Sequence, residues 1–368
     1  MRWSWFVRFE LLLATHHIFK HFLTNINVRL NYVLITYKKP TFISHRLSVM
    51  MKTFLSLFLF LFVSQLHAQD SLTIKRESAN KQYINLYKEN SDFAYTSPAG
   101  EIGAPSKYVI NGRLTTTYML LGSYKSPIAF SIIPDFTVRV RNEASAGVRT
   151  PSYRLGFAAY ARLNTNPENY KYAELAFTHH SNGQDQEAIN TDGSINTLTG
   201  NFNANYLTAS YRFGHLTPTN PDESYYSFNH RIGLQWFKFF RYEPALDLGF
   251  GFTRVLYNFS WRKYDEIEKN AKNKSKVKTE KETWRLNTEL SYAVNKIPVK
   301  NLVNFGKRLN AEINFNYSFP FMNNVFLMAA VGYYGEDNYN IYFQDHYGYM
   351  RFGFSSGFLR NRSRHYDN

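Results

Sequence analysis

The run Thr178-His179-His180-Ser181-Asn182-Gly183 holds the residues best suited to covalent chemistry. Residues two apart on an extended strand share a face, so the His179 imidazole and the Ser181 hydroxyl can approach each other. The ring can then take the hydroxyl proton as the serine attacks a carbonyl carbon. Such a ring needs a third group to fix its tautomer. The next candidate strand begins Phe202-Asn203-Ala204-Asn205, and Asn203 and Asn205 share parity with Leu207, Ala209 and Tyr211. Either carboxamide can reach an imidazole on an adjacent strand about 5 Å away. His180 falls on the opposite face, where it needs no catalytic role. The chain has no cysteine, which removes thiolate nucleophiles, thiolate metal sites and disulfides together.

The elements that must position these groups are strands. RLNAEINFNYSF (308–319) alternates strictly, with Leu309, Ala311, Ile313, Phe315, Tyr317 and Phe319 apolar and the residues between them polar. WRLNTELSYAV (284–294) and SYRLGFAAYARL (152–163) repeat the pattern. Each such segment has one apolar and one wet face. After Ala68 no stretch of 18 apolar residues occurs, which excludes helical membrane spans. With 28 Tyr and 32 Phe, the aromatic load suits a wall whose outer face meets lipid and whose interfaces are girdled by rings. The fold class expected is therefore all-β, a transmembrane antiparallel β-barrel of twelve strands in a bacterial outer membrane. The strands fall near 90–97, 109–122, 128–140, 151–163, 170–182, 203–213, 225–240, 245–260, 284–294, 308–319, 324–334 and 347–358. An even count puts both chain ends at one rim. The loop 141–150 then lies at the opposite rim, and 214–222 and the charged run Arg262 to Lys281 lie at the rim of the chain ends. In 170–182 the odd positions, His179 and Ser181 included, share the lipid face with Leu175 and Phe177. A polar pair facing hydrocarbon is costly, and such placement marks function.

The N-terminal region reads as export machinery. Met51-Lys52-Thr53, the apolar run 54–63 and Ala68 before Gln69 have the layout of a cleaved secretory signal, and the apolar run is too short to cross a bilayer of about 30 Å. Residues 1–49 then read as a mis-translated upstream leader, 50–68 as the signal, 69–89 as a periplasmic segment, 90–358 as the barrel and 359–368 as a tail. Residues 1–68 contribute +7 of the formal +15, so the charge does not point to nucleic acid.

The string His179-His180-Ser181-Asn182-Gly183 resembles the H-x-S-N-G strand motif of the outer-membrane phospholipase A family. Weaker echoes lie at Tyr87-Lys88-Glu89-Asn90, Arg149 to Tyr153 and Gly332 to Glu336. The resemblance implies hydrolysis of phospholipid acyl esters, of A1/A2 type, at the outer surface of the barrel wall. It makes Ser181 the nucleophile, His179 the general base and Asn205 the orienting group, with Asn203 as alternate; the Gly183 N–H would serve the oxyanion. It also implies Ca2+ as cofactor, with Ser145 and the carbonyl of Gln184 as ligands, and an active homodimer on a membrane phospholipid substrate. The family's membrane-embedded glutamine at the dimer face has no clear counterpart here; a gapless match falls near Ile133. Two other readings are a lipid A deacylase, which carries a similar motif on a smaller barrel, and a passive porin-like channel.

Overall fold

The computed structural model describes residues 71–143, 148, 151–217, 224–270, 276–298, 300–322, 324–358 and 363–365. The leader, the signal and Ser145 lie outside the described residues. The chain from Ser71 begins with helix α1 (Ser71–Glu89) and continues as strands β1 (Ala94–Ser97), β2 (Tyr108–Thr115), β3 (Tyr118–Gly122), β4 (Ile128–Arg141), β5 (Ser152–Arg162), β6 (Asn169–Ser181) and β7 (Ala204–Leu216). The remaining strands are β8 (Tyr225–Trp236), β9 (Thr253–Asn270), β10 (Lys276–Ala293), β11 (Leu309–Tyr317), β12 (Phe326–Tyr334), β13 (Tyr347–Ser356) and β14 (Ser363–His365).

From β4 to β13 each strand pairs antiparallel with the next, β1 pairs with β2, and β13 returns to pair with β1 through Ala94↔Ser356, so the sheet closes. β2 and β3 both pair with β4 and together make one wall strand, giving a closed barrel of twelve. The break between them faces Pro134. Its carbonyl accepts from Thr116 N, and a residue's N–H and C=O point to the same side of an antiparallel strand, so the missing proline donor falls at the interruption. The twelve expected segments are all present. The charged run after Arg262 is not the expected turn: β9 and β10 continue through it, pairing as far as Lys276↔Asn270 with one irregularity at Glu282/Trp284. The tail is also not free, since β14 adds to this hairpin at Val277 to Thr279.

Burial alternates along the wall as lipid on one side requires. Leu155, Phe157, Ile232, Ile313, Val331 and Phe352 are exposed on the outer surface, while their strand neighbours are turned inward. A continuous apolar belt of this kind has no place in water. Near the rim of the chain ends the belt gives way to stacked rings, including His215 on Phe228, Phe228 on Trp261 and Phe213 on His230. The chain is thus a transmembrane β-barrel of the outer-membrane kind.

The inside is packed with paired charges. Glu174 on β6 receives both Arg212 and Arg231, Arg113 binds Asp135, Arg285 binds Glu282, and Arg139 holds Asp337 at 2.8 Å. Buried charges persist only when paired in this way. The end of α1 enters the same space. Tyr87 stacks on Tyr160 of β5 with ring centroids 4.5 Å apart, while Glu89 bonds Tyr264 of β9 on the facing wall. At the opposite rim the loops after β6, β8 and β12 share an apolar cluster that includes Phe202, Leu246, Phe250, Ile341 and Phe343.

Candidate active site

β5, β6 and β7 place the candidate groups by register alone. Ser181 lies opposite Tyr153, His179 opposite Leu155 on one side and opposite Asn205 on the other. Along β6 the even residues Tyr172, Glu174, Ala176 and His180 are buried in the lumen; the odd residues face out, with His179 exposed and Ser181 half-buried. The pair thus lies on the lipid side of the wall, where its parity puts it.

The imidazole is fixed by a short chain of hydrogen bonds. His179 Nδ1 lies 2.8 Å from Asn205 Oδ1. Asn205 Nδ2 donates to the main-chain oxygen of Arg241 at 2.8 Å, which sets the direction of the amide. With the amide oxygen facing the ring, Nδ1 must be the donor, and Nε2 keeps its lone pair. That is the tautomer a general base for a hydroxyl needs. Asn203, the alternate, is not part of this chain: its side chain donates to Asn201 Oδ1, and its main-chain oxygen accepts from Glu243 N at 2.9 Å.

Ser181 is not hydrogen-bonded to His179 among the described residues; its Oγ accepts the Gly183 N–H at 3.1 Å. Because the two residues share a face two positions apart, closing the pair is a matter of side-chain rotamers, and catalytic hydrogen bonds commonly tighten only around substrate. Gly183 adopts φ 67°, a left-handed backbone conformation that favours glycine at this turn. The Asn182 side chain points elsewhere: Nδ2 donates to Gly200 O and Oδ1 accepts from Phe202 N, so it pins the two ends of the β6–β7 loop together.

The expected calcium ligands fare differently. Ser145 lies outside the described residues, and Gln184 sits half-buried just after Gly183. Among the described residues no group of three or more His, Asp or Glu side chains is placed to hold a metal ion. Ile133, near which the gapless match falls, packs partly buried against the cluster of Tyr87, Tyr160 and Tyr172.

Two features of the site are not among the sequence-based expectations. One is the main-chain acceptor at Arg241, which no residue type announces. The other is the loop after β8, whose Phe240 packs edge-on against Phe177 at 4.9 Å, one outward position from His179. The aromatic run Trp236 to Phe240 is the signal the sequence holds for it.

No protein-family model and no curated protein matches the chain. Among solved structures it is similar to the outer membrane phospholipase A from Escherichia coli, with 10% identity, 76% of this chain and 98% of that one covered, and a TM-score of 0.48. It is also similar to the beta domain of the Bordetella autotransporter BrkA, with 14% identity, 72% and 94% covered, and a TM-score of 0.35. A third likeness is to BamA from Haemophilus ducreyi lacking POTRA domains 1–3, with 11% identity, 66% and 57% covered, and a TM-score of 0.24.

Proposed function

We propose that this barrel is an outer-membrane phospholipase that hydrolyses acyl esters at a Ser-His-Asn site on its lipid-facing wall. The observation that carries the reading is the His179–Asn205 hydrogen bond on the outer surface, beside a serine of the same face. A structural barrel gains little from an oriented imidazole and carboxamide at a position open to acyl chains, where polar groups are costly.

In this reading Ser181 Oγ attacks the ester carbonyl carbon while His179 Nε2 takes its proton. The tetrahedral oxyanion collapses, and the same proton goes to the departing lysophospholipid oxygen. Asn205 holds the ring and its tautomer through both transfers. The Gly183 N–H, now on the serine oxygen, would serve as a main-chain donor for the oxyanion. Water, activated by His179, then releases the fatty acid and restores Ser181. Calcium activation and the homodimer enter from the family resemblance. Activity unchanged by a chelator, or by dilution to monomer in detergent, would remove those parts and leave the esterase.

The test is the release of labelled fatty acid from phosphatidylethanolamine by the purified barrel and by Ser181→Ala. Activity in the first and none in the second supports the proposal; equal rates refute it. A passive channel is disfavoured by the paired charges and the α1 end that occupy the lumen.

A further inference from the structure

The loop between β8 and β9 is tied to the candidate site and carries a chemically distinct surface. Its main chain holds both candidate asparagines, Asn205 of β7 through Arg241 O and Asn203, just before that strand, through Glu243 N. Its rings continue outward from the site: Phe177 meets Phe240 at 4.9 Å, Phe240 meets Phe239 at 4.7 Å, and Phe239 meets Trp236 at 5.7 Å. This makes an aromatic shelf beside His179, at the end of the barrel where the wall strands leave the lipid core.

The charges above the shelf are unequally committed. Lys238 Nζ donates to Asp247 Oδ1 at 2.9 Å and lies over the Phe252 ring at 4.4 Å. Burial works to lower the pKa of this ammonium, but its bonds to Asp247 and Tyr242 outweigh that and hold it above the ordinary lysine value. Asp247 also accepts from Tyr242 Oη, and the Glu243 carboxylate accepts the Ala245 N–H. Arg241 is different. It is exposed, and among the described residues its guanidinium has no hydrogen bond or ion pair, although its own carbonyl is bound to Asn205.

We infer that Arg241 and the aromatic shelf form the subsite for a phosphate-bearing acyl lipid, the guanidinium taking the phosphate and the rings an acyl chain. A planar fork of donors fits phosphate oxygens in pairs, and such bonds gain strength at the edge of a low-dielectric medium. The substrate would then lie with its phosphate at Arg241, an acyl chain on the rings and its ester near Ser181. This inference rests on the acyl-hydrolase reading of Ser181 and names the residue and surface that recognise its substrate. Glycerophospholipid and phosphorylated lipid A both supply the phosphate.

The binding arm uses the full barrel with Ser181→Ala in detergent, with and without Arg241→Gln or Arg241→Lys. Bound dioleoylphosphatidylglycerol, dioleoylglycerol and lipid A are counted by native mass spectrometry. The expected result is a preference of about tenfold for the phosphate lipids over dioleoylglycerol, the worth of one charged hydrogen-bonded contact. Arg241→Gln abolishes that preference and Arg241→Lys keeps part of it. Lipid A exceeding phosphatidylglycerol, or the reverse, identifies the source of the phosphate, and either supports the subsite.

A preference that survives Arg241→Gln overturns the inference, as does an equal loss of all three lipids, which marks a merely structural role. In the kinetic arm, with Ser181 intact, Arg241→Gln should narrow the ratio of kcat/KM between phosphatidylglycerol and dioleoylglycerol by the same factor. An unaltered ratio also counts against it. If the intact barrel hydrolyses neither lipid, the hydrolase reading fails, and the binding arm still decides the subsite.

Discussion

β6 carries a histidine on each side of the barrel wall, and each has a serine nearby. Inside, His180 Nε2 lies 2.8 Å from Ser152 Oγ, with the two residues 3% and 2% exposed. Outside, His179 is open to lipid and bonded to Asn205, and Ser181 is held by Gly183 rather than by the ring. The inner pair is the tighter one, yet it has the poorer claim to catalysis. Its Nε2 is already committed to a buried hydroxyl on the lumen side of the wall. The outer pair lacks the ready hydrogen bond but has an oriented ring, a free nitrogen and access to acyl chains. Orientation and access, more than proximity in a resting structure, separate a catalytic pair from a structural one.

Exchanging the two serines is the sharpest way to break this contrast. Ser181→Ala should lower kcat for phospholipid hydrolysis by at least about 10⁴-fold, since losing a nucleophile removes the covalent route altogether. Ser152→Ala should leave turnover intact, which the same fatty-acid release assay reads. Hydrolysis that depends on Ser152 and not on Ser181 would reverse the assignment of the two faces.

The next effect separates the two asparagines. Asn205→Ala frees the imidazole to turn and should cost about 10²-fold in kcat, less than the serine because a neutral carboxamide supplies orientation and no full charge. Asn203→Ala should cost little, because its contact with the β8–β9 loop runs through its main chain. Comparable losses at both positions would mean that the loop, and not the amide, positions the ring.

The inner pair predicts a loss of a different kind. His180→Ala leaves a buried Ser152 hydroxyl without its partner, at a cost of about 1–3 kcal/mol in stability. Urea unfolding of the barrel in detergent should show it, while hydrolysis at low denaturant persists. Equal loss of activity and stability would show that the inner pair holds the outer one in place.

The contrast between the two faces is legible in the sequence because strand parity is a period of two. Once SYRLGFAAYARL and the His179 strand are set beside each other, lipid decides which parity faces out. The partner of His179 is legible only as a choice between two amides. The registration His179↔Asn205 depends on how a loop of some twenty residues closes, and the Asn182 side chain that pins its ends to Gly200 and Phe202 is not identifiable as a clamp before the fold is known. The lumen is less legible still. Arg139 finds Asp337 nearly two hundred positions away, and no pattern within either strand names the other. Helix α1 leaves one mark, Tyr83, Leu86 and Tyr87 at spacings of three and four, which is the stripe that packs on the inner wall. The run after Arg262 misleads because charge density reads as a solvated turn, whereas a hairpin that outruns the lipid can carry charge on both faces.

Gly183 offers the smallest and most local test. Its φ of 67° lies where a side chain is disfavoured, and a Cβ there would sit 3.0 Å from Cε2 of Tyr153, the residue paired with Ser181. Gly183→Ala therefore strains the turn by about 1–2 kcal/mol and pushes against the ring of the residue paired with the serine. Its N–H positions Ser181 Oγ, so a few-fold fall in kcat should accompany an intact barrel, with KM changed less. Adding Tyr153→Ala separates the two causes. If the ring contact dominates, the second substitution restores most of the loss; if the N–H direction dominates, it restores none, and the main-chain donor at Gly183 is then the part of the outer site that tolerates least movement.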